Sequence, residues 1–341
     1  MTRAVLIDDS GFMRRVIKDI LSQNSIEVVA EAENGFEGIK KVIELKPDVV
    51  LLDIEMPVLT GLDTLSLIMK KCPTPVVMFS SLTKEGADVT MEALKLGAID
   101  FLQKPKTSLD VYALKDQLVD KIKTSAKAKV KDSSKEIKIQ KKVKTLREVS
   151  HGQPNRICVI GCSTGGPKAL TQIFEKMEYL NQSIFIVQHM PAFFTKTLAK
   201  RLNDITPFIV KEAEDKEEIK NGVVYLAPGD NHMEIVEHNG YKIISLNKDP
   251  ALHGCRPAVD YLFKSAASIF KEKLLACVLT GMGKDGLDGS QWVKNQKGLV
   301  YVESEETCTI YGMPKQVAER NLADSILPID SFAKEINKFL G

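Results

Sequence analysis

Apolar residues in the first hundred positions come in short unbroken runs, each stopped by a polar side chain. Ala4-Val5-Leu6-Ile7 ends at Asp8-Asp9, Val49-Val50-Leu51-Leu52 ends at Asp53, and Val76-Val77-Met78-Phe79 ends at Ser80. Continuous rather than alternating runs mark strands buried on both faces of a parallel sheet. The pattern predicts strands over 3–8, 28–32, 49–53, 76–80 and 98–103, with helices near 12–23, 35–45, 62–71, 86–96 and 109–123 between and after them. Five βα units of this kind give a doubly wound, five-stranded parallel sheet.

From Asn155 the rhythm restarts, with apolar runs at 157–160, 183–187, 208–210, 223–226, 274–280 and 299–302 separated by helix-like segments. One stretch breaks it: Met233-Glu234-Ile235-Val236 and Tyr241-Lys242-Ile243-Ile244 flank Glu237-His238-Asn239-Gly240, and Asn-Gly is a strong hairpin signal. The fold class expected is α/β, two doubly wound domains, the second mostly parallel with one antiparallel hairpin.

A length of 341 residues also favours two cores over one. Residues 121–150 carry eleven Lys/Arg against three Asp/Glu, so the basic excess behind the net charge of +2 belongs to this segment. With few large apolar residues and no aromatic it is expected to be a solvated tether. The domain reading is therefore 1–120, a basic linker over 121–152, and 153–341. No apolar run reaches the roughly 18 residues of a membrane span, and the N-terminus turns acidic too soon for a signal peptide, so the expected location is the cytoplasm without membrane insertion. Six cysteines without a CxxC pair suit reduced core thiols. No helix-turn-helix pattern follows residue 150, which argues against a nucleic-acid partner.

Chemistry enters where the strands end. Asp8, Asp9 and Asp53 would meet at one edge of the first sheet, and three carboxylates there repel one another unless a divalent cation sits between them. Ser80 and Lys104, which close or follow the fourth and fifth runs, come to the same face. These residues, with Met56-Pro57, Gly61 and Lys104-Pro105, resemble the response-regulator receiver family across about residues 1–120. The resemblance implies that Asp53 accepts a phosphoryl group from a histidine kinase. It also implies that Asp9, Asp53 and the Glu55 carbonyl hold Mg2+, with Asp8 acting through water. Ser80 and Lys104 would bind the phosphoryl oxygens, and Phe101 would be the aromatic that repacks on activation.

In the second half, Gly161-Cys162-Ser163-Thr164-Gly165-Gly166 ends one strand and opens a helix. Such a turn suits either a bound phosphate or a nucleophilic serine; the absence of GxGxxG and of a P-loop lysine favours Ser163. A serine needs a base. Of the five histidines, His189 follows the next strand and shares its face with Ser163, whereas His151 falls in the linker, His238 in the hairpin turn, and His232 and His253 in loops where a surface role is expected. The third member should be a carboxylate that fixes the imidazole: Asp285, in Leu279-Thr280-Gly281-Met282-Gly283-Lys284-Asp285-Gly286, again follows a strand. Asp260 is expected to face solvent or cap a helix, and Asp288 lies one helical step too far.

The segments GCSTGG, QHMP and LTGMGKDG resemble the chemotaxis protein-glutamate methylesterase family (CheB). The resemblance implies a Ser163, His189, Asp285 triad with backbone N–H groups near Met282 and Thr164 for the oxyanion. It implies hydrolysis of glutamate methyl esters on methylated chemoreceptors and deamidation of receptor glutamines, with no cofactor for the ester chemistry. The phosphodonor would be the chemotaxis kinase, and a contact between receiver and catalytic domains would regulate the enzyme. Cys162 stands where alanine is frequent in the family and is expected to crowd the turn.

Overall fold

The computed structural model describes residues 1–81, 83–105, 110–128, 130 and 152–341, and its chain forms two compact units. In the first, β1 (Thr2–Ile7), β2 (Ile26–Ala32), β3 (Val49–Asp53), β4 (Val76–Ser80) and β5 (Asp100–Gln103) make a parallel sheet in the order β2-β1-β3-β4-β5. Helices α1 (Gly11–Ser22), α2 (Gly35–Leu45), α3 (Gly61–Lys71), α4 (Lys84–Leu96), α5 (Asp110–Ala113) and α6 (Lys115–Ser125) follow in turn. β3 and β4 are buried along their whole length, as unbroken apolar runs require. Ser10, Asn34, Thr60 and Thr83 each accept a backbone N–H at the start of the helix they cap, so four helix starts are set by residue type.

Two boundaries differ from the sequence reading. The helix expected over 109–123 is divided between α5 and α6, and α6 runs to Ser125, so the first five residues assigned to the linker are helical. Leu118, Val119 and Ile122 of α6 are buried against the β-sheet core, and that apolar spacing outweighs the local Lys content. The rest of the basic segment, and His151 with it, lies outside the described residues.

The second unit holds a seven-stranded parallel sheet in the order β14-β13-β12-β6-β7-β9-β8. Its strands are β6 (Ile157–Cys162), β7 (Ser183–Gln188), β8 (Ile209–Glu212), β9 (Val223–Leu226), β12 (Leu274–Val278), β13 (Leu299–Glu303) and β14 (Ser325–Leu327). β10 (His232–His238) and β11 (Tyr241–Asn247) form the expected hairpin as a two-stranded ribbon, and Ile243 of β11 also bridges Glu218. Helices α7 (Gly166–Phe174), α8 (Phe194–Ile205), α9 (Val259–Phe270), α10 (Leu287–Asn295), α11 (Met313–Glu319) and α12 (Ile329–Leu340) connect or flank the strands. β14 escaped the sequence reading because it contributes three residues, none fully buried. From β6 the chain runs to β7 on one side and later to β12 on the other. The strand order therefore reverses at β6, the kind of point at which α/β sheets open a crevice.

Candidate functional site

At the acidic edge of the first sheet, Asp53 is 1% exposed and Asp8 4%. Lys104 Nζ lies 2.5 Å from Asp53 Oδ2 and 3.4 Å from Asp8 Oδ2. Burial pushes the Asp53 carboxyl up to about 6 despite Lys104, and burial raises Asp8 as well. One carboxylate oxygen each from Asp8, Asp9 and Asp53 falls within 4.8 Å of the others. Asp8 Oδ2 is buried without a hydrogen-bond partner. An all-oxygen set whose buried Asp8 oxygen has only the Lys104 ammonium, 3.4 Å away, beside it fits a hard divalent cation such as Mg2+. Glu55 donates its N–H to Asp53 Oδ1 at 3.1 Å, while its carboxylate accepts from Ser81 Oγ at 2.7 Å. Ser80 is buried at the end of β4, and its hydroxyl meets Thr90 Oγ1 at 2.7 Å and the Gly86 carbonyl at 3.3 Å on α4, and the Ser81 carbonyl at 3.4 Å. Phe101 is buried on β5 beneath the Lys121 ammonium.

In the second sheet, three neighbouring strands, β12, β6 and β7, deliver the other predicted residues. Ser163 follows β6 directly and donates its N–H to the Thr280 carbonyl at 3.0 Å. The turn needs its glycines: Gly165 has φ +82°, and a Cβ there would lie 2.5 Å from Thr309 Cβ. His189 follows β7 and donates its N–H to the Cys162 carbonyl at 3.1 Å, which fastens the histidine loop to the serine turn. Its Nε2 lies 2.7 Å from Asp285 Oδ2.

Asp285 is 2% exposed and held from below. Val259 N–H donates to Oδ2 at 2.7 Å, Asp260 N–H to Oδ1 at 3.0 Å, and Gly286 N–H to Oδ1 at 2.9 Å. Two of these donors are the first residues of α9, where unpaired N–H groups and the helix dipole favour an anion. Burial works against the Asp285 charge, but His189 and these donors outweigh it and the carboxyl sits below its ordinary range. Burial likewise disfavours a charged His189, yet the Asp285 carboxylate, with help from Cys255, pushes the imidazole up to about 10. The other ring nitrogen, Nδ1, lies 3.5 Å from Cys255 Sγ. Among the described residues no hydrogen bond joins the Ser163 hydroxyl to His189. The histidine and aspartate thus meet, and the serine stands at the adjoining strand end.

Thr164 is buried in the turn, with its carbonyl accepting from Thr280 Oγ1 at 2.9 Å, and Met282 is exposed at the mouth of the β12 loop. Asp260 takes the capping role rather than the solvent-facing one: its buried side chain accepts the Gly289 N–H in the first turn of α10 at 2.6 Å, and its backbone supports Asp285. Two sequence expectations require correction. His232 is not a surface residue. Its ring stacks on Tyr261 at 3.9 Å and Nδ1 accepts from the Ala258 N–H, both at the start of α9, while Nε2 donates to the Pro250 carbonyl in the preceding loop. Cys162 does not crowd the turn but donates to Gln188 Oε1 at 3.1 Å.

Gln188, Cys255 and Glu303 went unnoticed in the sequence. Gln188 was detectable as a polar residue closing an apolar run, the same signal that exposed Asp53. Glu303 likewise closes β13, accepting the Thr280 N–H at 2.9 Å. Cys255 carries no local signal at all.

Comparison with known proteins agrees with this layout. Residues 4–114 match the response regulator receiver domain model and residues 158–336 the CheB methylesterase model. The protein-glutamate methylesterase/protein-glutamine glutaminase of Thermotoga maritima is 46% identical, covering 96% of this chain and 95% of the relative. That of Pyrococcus abyssi is 43% identical, covering 98% and 92%. The crystal structure of the Thermotoga maritima CheB methylesterase catalytic domain is 45% identical and superposes with a TM-score of 0.53, covering 54% of this chain and 97% of that one. A receiver fold ahead of a strand-end serine, histidine and aspartate, with relatives matched along nearly the full chain, places this protein in the CheB methylesterase family.

Proposed function

We propose that this chain is a phosphorylation-activated serine hydrolase that removes methyl groups from glutamate methyl esters of chemoreceptors and deamidates receptor glutamines; its relatives are named protein-glutamate methylesterase/protein-glutamine glutaminase. The observation that carries the chemistry is the 2.7 Å pairing of His189 with a buried, triply supported Asp285, one strand from Ser163.

In this reading His189 takes the Ser163 proton and Oγ attacks the γ-carbonyl of the methylated side chain. Asp285 stabilises the imidazolium, which returns the proton to the departing methanol. Water activated by the same imidazole then releases the glutamate. With a glutamine the leaving group is ammonia and the acyl intermediate is identical. Backbone N–H groups at Thr164 and Met282 are proposed to stabilise the oxyanion, a contribution worth about 2.7–4 kcal/mol per donor in serine hydrolases.

Control lies in the receiver. Asp53 is the proposed phosphoryl acceptor, fed by a histidine kinase. Asp8, Asp9, Asp53 and the Glu55 carbonyl would hold Mg2+, which supplies positive charge to the transferring phosphoryl oxygens. Lys104, already on Asp53, is placed to follow those oxygens, and Ser80 would have to leave its α4 partners to join it. Such a shift couples added charge at Asp53 to the position of α4 and of buried Phe101. The compartment proposed is the cytoplasm, where kinase and receptor tails are accessible; among the described residues no helix is long and apolar enough to cross a membrane.

Labelling the full-length protein with a fluorophosphonate and mapping the adduct by mass tests the nucleophile. The label should sit on Ser163 and vanish in Ser163→Ala; an adduct on Cys255 or elsewhere would remove Ser163 from its role.

A further inference from the structure

Behind the Asp285 shelf lies a second group of metal-binding side chains that the ester chemistry does not use. His253 sits in the loop between β11 and α9, Asp260 in the first turn of α9 and Asp288 in the first turn of α10. One ligating atom from each falls within 4.8 Å of the other two. His253 Nε2 and Asp260 Oδ2 are 3.4 Å apart. That matches the edge of a tetrahedral shell whose metal–ligand distances are about 2.0–2.2 Å.

The second observation is an unsatisfied atom. Asp260 is 6% exposed, and its Oδ1 accepts from the Gly289 N–H, but Oδ2 is buried and has no hydrogen-bond partner. A buried anionic oxygen with no hydrogen bond, its nearest cationic group an imidazole at 3.4 Å, costs several times a missed neutral hydrogen bond. Asp285 and Asp288 add like charge beside it. His253 and Asp288 are exposed, so the open side of the cluster faces water and can admit an ion.

We propose that His253 Nε2, Asp260 Oδ2 and the Asp288 carboxylate form a site for a divalent first-row transition cation, Zn2+ foremost, with water filling its remaining positions. An imidazole beside two carboxylates selects such a cation over Mg2+, which prefers oxygen donors alone. The ion would fasten the loop carrying Cys255 to the start of α9, whose N–H groups hold Asp285.

Calorimetric titration of the full-length protein with Zn2+, in excess Mg2+ to occupy the receiver pocket, tests the site. One Zn2+ per chain should bind. His253→Ala and Asp288→Asn, both at exposed positions, should each weaken binding by more than the roughly 10–100-fold that losing a supporting group costs a metal site. Cys255→Ser and Asp8→Asn should leave it intact, which separates this site from the His189–Cys255 pair and from the receiver. Absence of stoichiometric Zn2+ binding, indifference to the His253 and Asp288 changes, or loss with Cys255→Ser would overturn the proposal.

Discussion

Gln188 donates its side-chain amide to the Ser163 carbonyl at 2.9 Å and to the His189 carbonyl at 3.2 Å. One buried residue therefore sets the spacing between the proposed nucleophile and its base, while its Oε1 takes the Cys162 thiol. Gln188→Ala would leave buried carbonyls unpaired and the serine turn loose. An unsatisfied buried group costs about 1–3 kcal/mol, so kcat/KM should fall by roughly 10–100-fold, mainly through kcat. Steady-state kinetics on methyl-ester substrate checks this; an unchanged kcat would show that the turn holds without the amide.

The pH profile follows from His189. In the proposed mechanism only the neutral imidazole can accept the Ser163 proton, and Asp285 raises the folded pKa above the ordinary 6.5. The charged, inactive form thus persists to higher pH, and activity should climb through the alkaline range rather than level off near neutrality. Asp285→Asn removes the anion that stabilises the imidazolium, so the rise should move to lower pH while the maximal rate falls by about 10⁴, as for the equivalent loss in other triads. A profile for the variant inflecting at or above the wild-type pH would contradict this role.

Cys255 holds the ring nitrogen that Asp285 does not. Which partner donates follows the charge of the ring: Nδ1–H donates to the sulfur in the imidazolium, and the thiol donates to Nδ1 in the neutral ring whose Nε2–H is on Asp285. On this account the thiol occupies the imidazole between turnovers and takes no part in bond making. Cys255→Ala should keep activity within a factor of about ten, the scale of one hydrogen bond of about 1 kcal/mol. A collapse to the Ser163→Ala level would make the thiol the nucleophile.

Two glycines in the β12 loop should separate by phenotype. A Cβ on Gly281 would lie 2.4 Å from Met313 Sδ and 2.7 Å from Ser163 Cβ. The sulfur can swing away, but Ser163 cannot without moving the proposed nucleophile. Gly281→Ala should therefore lose most esterase activity. Gly283 has φ +89° and no atom within 4 Å of an added Cβ, so Gly283→Ala should cost only backbone strain of about 1–2 kcal/mol, visible as a lowered Tm.

Both sheets were readable because buried parallel strands write themselves as apolar runs, and the polar residue that ends each run marks the site face. That signal exposed Asp53, while Ser163, His189 and Asp285 are read from the glycine-rich turn after β6 and from the loops that follow β7 and β12. It failed where support comes from residues inside other patterns. Asp260 looks like an exposed helix-start carboxylate until α9 is aimed at Asp285. His232 looks like a loop histidine until Tyr261 stacks upon it. β14 is too short to show a period, and Cys255 depends wholly on how its loop returns to His189. The sequence pattern fixes which groups arrive at the strand ends, while tertiary packing alone decides what holds them there.

The central claim is tested most directly by methanol release from methylated receptor membranes, measured on wild type, Ser163→Ala and Asp53→Asn, with and without a small-molecule phosphodonor and Mg2+. Wild type should release methanol and be stimulated by the donor, Asp53→Asn should keep only the unstimulated rate, and Ser163→Ala should release none above background. Methanol release by Ser163→Ala at the wild-type rate would contradict the account.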